Sequence, residues 1–336
     1  MISVALVGYG YWGPNLARNF SRQPGCHLSA ICEHHPKRAA QAERAYPGTR
    51  VITDYQDILS DPGIDAVLIA TPVASHYDLA RRALLAGKDV MIEKPLCHSL
   101  AEAEELVELA ERQGCILAVD HTFLFTGAVT KLKELMDRKA LGELIYVDSV
   151  RINLGLFQQD VNVVWDLAPH DLSIITHLTD RDPVSVQAMG MRLGGSPNES
   201  TVYLHLDYDN GMIAHCHLSW VSPVKVRQML FSGDLQMAVY DDSEPSEKIK
   251  IYDKGVSLRE IDEETRNSIV VDYRMGDMLA PKLAHREALD LEAEHFITCV
   301  RDRRQPLSDG HFALRIMRQI DACQRSLAAD GQRVRL

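Results

Sequence analysis

An apolar run, Ile2-Ser3-Val4-Ala5-Leu6-Val7, stops at Gly8-Tyr9-Gly10-Tyr11-Trp12-Gly13 and gives way to a helix-like stretch from Pro14 to Arg22. That order predicts a buried parallel strand, a sharp turn, and a helix whose N-terminus points at whatever sits over the turn. Gly8 permits the turn, Gly10 carries no side chain to block a pyrophosphate, and Gly13 lets the helix pack on the strand. The helix start offers free N–H groups and positive dipole to phosphate. A second strand, Leu28 to Cys32, ends at Glu33, twenty residues after Gly13. An acid there accepts the adenosine ribose hydroxyls and repels a 2′-phosphate, so the pattern predicts NAD over NADP. Lys37 and Arg38, close by in sequence, pull the other way.

The chain has 336 residues, enough for two domains with separate cores. Its formal charge of −11 and the lack of any Lys/Arg-rich run argue against a nucleic-acid partner. No apolar stretch reaches the roughly 20 residues that span a bilayer, and the N-terminus lacks the pattern of a signal peptide. Seven scattered cysteines without a C-x-x-C predict reduced thiols in a cytoplasm rather than disulfides or a metal site.

Strand and helix alternate through the first 120 residues. Asp65 to Ala70 reads as a strand ending at Thr71-Pro72, His76 to Ala86 as a helix closed by Gly87, and Asp89 to Ile92 as a strand ending at Glu93-Lys94-Pro95. Ser99 with Glu102 forms a capping box for a helix to Gln113, with Gly114 beyond it. Ile116 to Val119 is a further strand. Repeated βαβ units build a doubly wound parallel sheet, assigned to residues 1–121.

Residues 122–336 read as a second α/β domain with a large, mostly antiparallel, open-faced sheet. Strands are expected at 144–152, 184–191, 202–208, 212–219, 226–232 and 236–240, with a helix near Leu172 to Leu178 and two closing helices at 287–301 and 309–328. Asp209-Asn210-Gly211 predicts a two-residue type I′ hairpin that sets His205 opposite Cys216. Helices cover one face of such a sheet; the other finds a partner or stays polar.

Open parallel sheets bind ligands beyond the carboxyl ends of their strands, and three such ends carry polar residues: Thr71, Glu93-Lys94 and Asp120-His121. Lys94 is aimed over the sheet edge or is a solvated loop lysine. Downstream, Asp166 and His170 lie four apart in Trp165-Asp166-Leu167-Ala168-Pro169-His170. On a helix both share one face, where a carboxylate holds an imidazole's tautomer and favours its charged form. Spacing alone equally allows Asp166 to be an N-cap and His170 a packing residue.

The combination of the glycine fingerprint, Ala70-Thr71-Pro72 with His76, Glu93-Lys94-Pro95, and Asp166-x-x-x-His170 resembles the Gfo/Idh/MocA family over essentially the whole chain. The stretch from Asn153 to Ile174 resembles a subgroup associated with sugar and glycan biosynthesis. The resemblance implies a Rossmann domain, an open-faced α/β domain whose sheet forms a homodimer or homotetramer, and an NAD-dependent dehydrogenase or ketoreductase. It implies Lys94, Asp166 and His170 as catalytic residues. It implies a dinucleotide site built from Gly8, Gly10, Tyr11, Trp12, Gly13, Glu33, Thr71, Pro72, His76, Glu93 and Lys94. Asp120 departs from the small or amide residue expected there and puts a charge close to the cofactor.

Oxidising a secondary alcohol requires a base and a group that stabilises the developing alkoxide. His170 is expected as base, oriented by Asp166, with Lys94 on the same oxygen, though Lys94 and His170 could exchange roles. His121, Arg151, Asn153, Asn162, Trp165, Lys225 and Arg227 are candidate substrate contacts; for Lys225 and Arg227 a solvated edge or oligomer contact fits as well. The leading substrate is a nucleotide-linked, often amino, sugar, oxidised at C-3 in many such relatives; a sugar of a glycosylated natural product such as an aminoglycoside, or a cyclitol, follows. A glycosidase using transient oxidation by NAD, and a non-catalytic NAD-binding regulator, are the alternatives. No metal is expected.

Overall fold

A computed structural model describes residues 1–155, 157, 161–258 and 271–336. In chain order the first elements are β1 (Ile2–Val7), α1 (Gly13–Phe20), β2 (Cys26–Cys32), α2 (Pro36–Ala45), β3 (Arg50–Ile52), α3 (Gln56–Leu59), β4 (Ala66–Ile69), α4 (His76–Leu85), β5 (Asp89–Glu93), α5 (Leu100–Gln113) and β6 (Leu117–Asp120). The six strands form one parallel sheet in the order β3-β2-β1-β4-β5-β6. The strand order reverses beside β1, which places a crevice over the carboxyl ends of β1 and β4. Val4 to Leu6 and Ala66 to Ile69 are fully buried, as continuous apolar strands covered on both faces must be. Ser99 caps α5 by accepting the Glu102 amide at 3.3 Å, and Gly114 closes it in the left-handed region.

Then follow α6 (Gly127–Asp137), β7 (Leu144–Leu154), α7 (Val163–Thr179), β8 (Ser185–Met191), β9 (Thr201–Asp207), β10 (Ile213–Ser219), β11 (Val221–Gly233), β12 (Met237–Asp241), β13 (Ile249–Leu258), β14 (Val271–Leu279), α8 (Ala288–Asp302), α9 (Gly310–Ala328) and β15 (Val334–Arg335). The second sheet runs β14-β13-β12-β11-β7-β10-β9-β8-β15, antiparallel except for β7 with β10. Helix α7 packs on β7, β9 and β10. On the opposite face Tyr203 is 57% and Met189 68% exposed.

Contacts group residues 1–126 with 286–321 as one unit and 127–285 with 322–336 as another. Residues 286–321, read from sequence as part of the second domain, thus pack with the first. The apolar stripe of α8 explains it: Leu289, Ala293, Phe296 and Ile297 join the core of the parallel-sheet unit, and Phe296 meets Phe20 edge-on at 6.1 Å. The amphipathic pattern located the helix but not the sheet it covers.

The hairpin differs from the expectation too. Gly211 donates to Tyr208 at 3.2 Å, Tyr208 to Met212 at 3.0 Å, and Gly211 takes φ +85°. This is a three-residue loop with a left-handed glycine closing a bulge, not the two-residue type I′ turn. One extra loop residue shifts the register by one, so His205 faces His215, not Cys216. The two rings meet at 2.8 Å, with Asp207 and Asp148 at their far nitrogens. Strands β13 and β14 and the short β3 and β15 were not foreseen.

Candidate functional site

In the first unit the loop between β1 and α1 is shaped by two glycines. Gly8 has φ +91°, and a Cβ on it would lie 2.7 Å from the Ala70 carbonyl oxygen. A Cβ on Gly13 would lie 2.2 Å from the Gly8 oxygen. A Cβ on Gly10 would meet only Arg38 Nη1, at 3.6 Å, so the space over Gly10 is the opening a pyrophosphate needs. No side chain caps α1 at Trp12; Pro14 carries no N–H and the Asn15 and Leu16 amides donate to the Trp12 oxygen at 2.8 and 3.3 Å, so the helix start offers a ligand the Gly13 amide and its positive dipole end. Tyr11 is 91% exposed beside this opening. These residues fit a dinucleotide.

Glu33 sits at the end of β2. Its Oε2 accepts the Tyr9 amide and its Oε1 the His35 amide, both at 2.8 Å. A carboxylate has about four lone-pair directions, so it retains acceptor capacity for ribose hydroxyls. At the end of β4, Thr71 Oγ1 accepts from Ser75 at 2.7 Å, before Pro72. His76 is 1% exposed, with its ring nitrogens 2.9 Å from the carbonyl oxygens of Pro95 and Thr71. Expected near the ribose and nicotinamide, His76 ties the segments after β4 and β5 together through their main chain.

Glu93 ends β5, Lys94 follows it, and the Lys94–Pro95 peptide is cis. Burial and then the charge of Asp120 push the Glu93 carboxyl well above the usual carboxylate range. Asp120 is 2% exposed. It accepts Trp12 Nε1 at 2.8 Å and the Thr122 amide at 3.2 Å, together with the Thr122 hydroxyl. His121 is 2% exposed, packs edge-on to Phe312 at 5.7 Å, and is pulled down to about 3 by burial and then by the Lys94 charge. Among the described residues its Nδ1 has no hydrogen-bond partner.

The second unit holds the rest. Helix α7 starts at Asn162, whose Oδ1 accepts the amides of Val164 at 3.2 Å and Trp165 at 3.4 Å. The N-cap is therefore Asn162 and not Asp166. Asn162 Nδ2 donates to Glu199 at 3.0 Å and Gln324 at 2.9 Å. Asp166 lies in the first turn and His170 one turn on, both on one face of α7. Asp166 Oδ2 accepts Trp220 Nε1 at 2.9 Å, and Trp220 is 1% exposed.

Several expected substrate contacts are engaged elsewhere. Arg151 points under the sheet and donates through Nε to Asp171 at 2.6 Å, with 5% and 1% side-chain exposure. Arg227 shares that face, 3.6 Å from Asp242. Lys225 is exposed, while Asn153 and Trp165 are half-buried. Leu156 and residues 158–160 of the Asn153–Ile174 stretch lie outside the described residues. Trp220, Asp171 and Glu292 were not singled out from sequence; burial of an acid or an indole that must find a partner is visible only in three dimensions. Among the described residues no cluster of three metal-ligating side chains occurs, and no helix is long and apolar enough to cross a membrane.

Comparison with known proteins agrees with this picture. Residues 2–121 match the profile of an oxidoreductase family with an NAD-binding Rossmann fold, and residues 129–239 match its C-terminal domain. The chain is 26% identical over 329 residues to scyllo-inositol 2-dehydrogenase (NAD(+)) of Bacillus subtilis, covering 91% of this chain and 88% of that one. It is 26% identical over 316 residues to UDP-N-acetylglucosamine 3-dehydrogenase of Acidithiobacillus ferrooxidans, covering 93% of each. An oxidoreductase structure from Magnetospirillum magnetotacticum superposes with a TM-score of 0.81 at 29% identity, covering 96% of this chain and 99% of that one.

Proposed function

Because this chain belongs to the Gfo/Idh/MocA family of NAD-binding oxidoreductases, we propose that it transfers a hydride between NAD and a secondary alcohol or ketone of a sugar, with a nucleotide-linked amino sugar as the leading substrate. The family acts on CH–OH groups as a dehydrogenase, and the named relatives carry inositol and a UDP-linked amino sugar as substrates. The observation that carries the reading is the pinning of Asp166 by Trp220 one turn before His170 on a single helix face.

Bound NAD supplies the hydride acceptor for oxidation and the donor for reduction. The chain supplies the rest. An imidazole nitrogen of His170 takes the hydroxyl proton, and the Asp166 carboxylate stabilises the imidazolium that results. Lys94 Nζ donates to the same oxygen and lowers the cost of alkoxide charge. The wrapping of Glu33 by main-chain amides supports NAD over NADP, since a fixed carboxylate repels a 2′-phosphate.

Homo-oligomer contact through the open sheet face accounts for its exposed Tyr203 and Met189. The free cysteines support a cytoplasmic location. The test is NADH absorbance over a panel of UDP- and dTDP-sugars, aminoglycosides and inositols, repeated with Lys94→Ala and His170→Ala. Turnover on at least one UDP-amino sugar that both variants lose is expected. Full activity in both variants overturns the mechanism; sugar cleavage without net NADH points to a glycosidase.

A further inference from the structure

Three carboxyl groups meet beneath the glycine loop, all within the first unit. Glu93 and Asp120 end neighbouring strands and pair directly across them. Glu292, in the early turns of α8, lies within hydrogen-bond reach of the same Asp120. Asp120 is 2% and Glu292 1% exposed.

The two acids are treated very differently by their surroundings. Asp120 accepts donated hydrogens from Trp12 Nε1, the Thr122 amide and the Thr122 hydroxyl. Glu292 has no formed hydrogen bond at either oxygen among the described residues, the Thr122 hydroxyl being the one donor within its reach. Its neighbours are Asp120, Thr122 and, further off, Glu93, and the Thr122 hydroxyl hydrogen is committed to Asp120. A carboxylate stripped of water, without a donor and against a second carboxylate is the costliest way to bury an acid. A proton on Glu292 removes the charge and creates the missing donor, because the acid O–H then points at Asp120. Burial, followed by the Asp120 charge, pushes both Glu292 and Glu93 upward in the same sense. The positive group nearby is Lys94, which faces Glu93; His121 is neutral.

We infer that Glu292 is held protonated and donates to Asp120, and that this acid–carboxylate pair fixes the Trp12 indole and with it the glycine loop over which the dinucleotide lies. Glu292 is thus a positioning residue acting from α8 through Asp120 and Trp12. Ionising it would set a second buried negative charge against Asp120 and free the indole. The inference rests on the NAD-binding reading only for its consequence; the proton itself is measured without cofactor.

The experiment has two arms. Infrared difference spectra of Glu292→Gln against the parent protein at neutral pH, without NAD, should show the protonated-carboxyl C=O band of the parent disappear. Then NAD affinity is titrated calorimetrically for Glu292→Gln, Glu292→Ala, Trp12→Phe and the Glu292→Ala/Trp12→Phe double variant. Glutamine, a neutral donor of the same shape, should bind NAD within about twofold of the parent, while alanine and Trp12→Phe each weaken it about tenfold. The double variant should be no weaker than either single one, because both act through one contact. Absence of the infrared difference, or additive losses in the double variant, overturns the inference. If Glu292→Ala does not fold, the infrared arm decides it alone: a protonated-carboxyl band that survives unchanged in Glu292→Gln overturns the inference. If no variant or parent binds NAD, the cofactor reading fails while the infrared arm stands.

Discussion

Glu33, at the end of β2, accepts the main-chain amide of Tyr9 at 2.8 Å, so the acid proposed to read the ribose is bolted to the glycine loop proposed to take the phosphates. Its other oxygen takes the His35 amide. The carboxylate is therefore fixed before any ligand arrives, and the guanidinium of Arg38 lies beside Gly10. Replacing Glu33 by Ser removes the negative charge but leaves Arg38. NAD affinity should fall about tenfold, from the loss of charged hydrogen bonds, and NADP affinity should rise, since Arg38 then meets the 2′-phosphate unopposed. Parallel titrations with both dinucleotides check this; an unchanged NAD/NADP ratio refutes the assignment of Glu33.

Trp220 and Asp166 give a second prediction. The indole N–H is the donor that holds the Asp166 carboxylate, and Trp220 is buried. Trp220→Phe keeps most of the packing and deletes the hydrogen bond. If Asp166 orients His170, turnover should drop about tenfold, the worth of a hydrogen bond to a charged group. NAD affinity should change little, because Trp220 donates to Asp166 and not to the glycine loop or Glu33. Steady-state turnover and direct NAD binding separate the two, and equal losses in both would point to general destabilisation.

Much of the first unit was legible because its constraints are local. Val4 to Val7 and Ala66 to Ile69 are apolar without alternation, as strands buried on both faces must be. Ser99 and Gly114 mark helix ends by chemistry that depends on neighbours a few residues away. The misses share one cause, which is that they depend on partners distant in sequence. Asp209-Asn210-Gly211 serves a two-residue or a three-residue turn equally well, and only the packing of Leu204, Leu206, Ala214 and Cys216 on one face selects the second. The apolar stripe of α8 does not name its sheet. Asp120 reads as an unexplained charge near the cofactor until Trp12, Thr122 and Glu292 are seen around it. Arg151 reads as a free cation for a substrate until Asp171 is seen beneath it.

That buried pair supports a stability prediction. Arg151 and Asp171 sit 2.6 Å apart with almost no solvent exposure. Removing one partner strands a charge, whereas removing both does not. Arg151→Met should destabilise by about 3–5 kcal/mol, and Arg151→Met/Asp171→Leu should recover most of that. Urea unfolding measures both. If instead Arg151→Met keeps full stability and raises KM for the sugar, the arginine serves the substrate, as the sequence alone suggested.

The carboxyl cluster predicts how stability varies with pH. The Glu292 acid is raised above its ordinary value of 4.5 by burial and then by Asp120. The folded chain therefore binds a proton that the unfolded chain releases near that value. Its contribution is complete below about 4.5 and is lost as pH rises through the folded pKa, each pH unit of that window being worth about 1.4 kcal/mol. Glu292→Gln has no proton to lose. The variant should thus gain on the parent steadily as pH climbs above 4.5 and level off once Glu292 ionises. Glu93 is raised in the same sense, and Glu287 is held down to about 2 by its hydrogen bond from Arg18. Both remain in the two proteins, so to first order they cancel from the difference. Urea midpoints taken for the pair across this range read the gap directly. A gap that stays flat, or that closes as pH rises, means Glu292 is already ionised in the folded chain and cannot be the donor to Asp120.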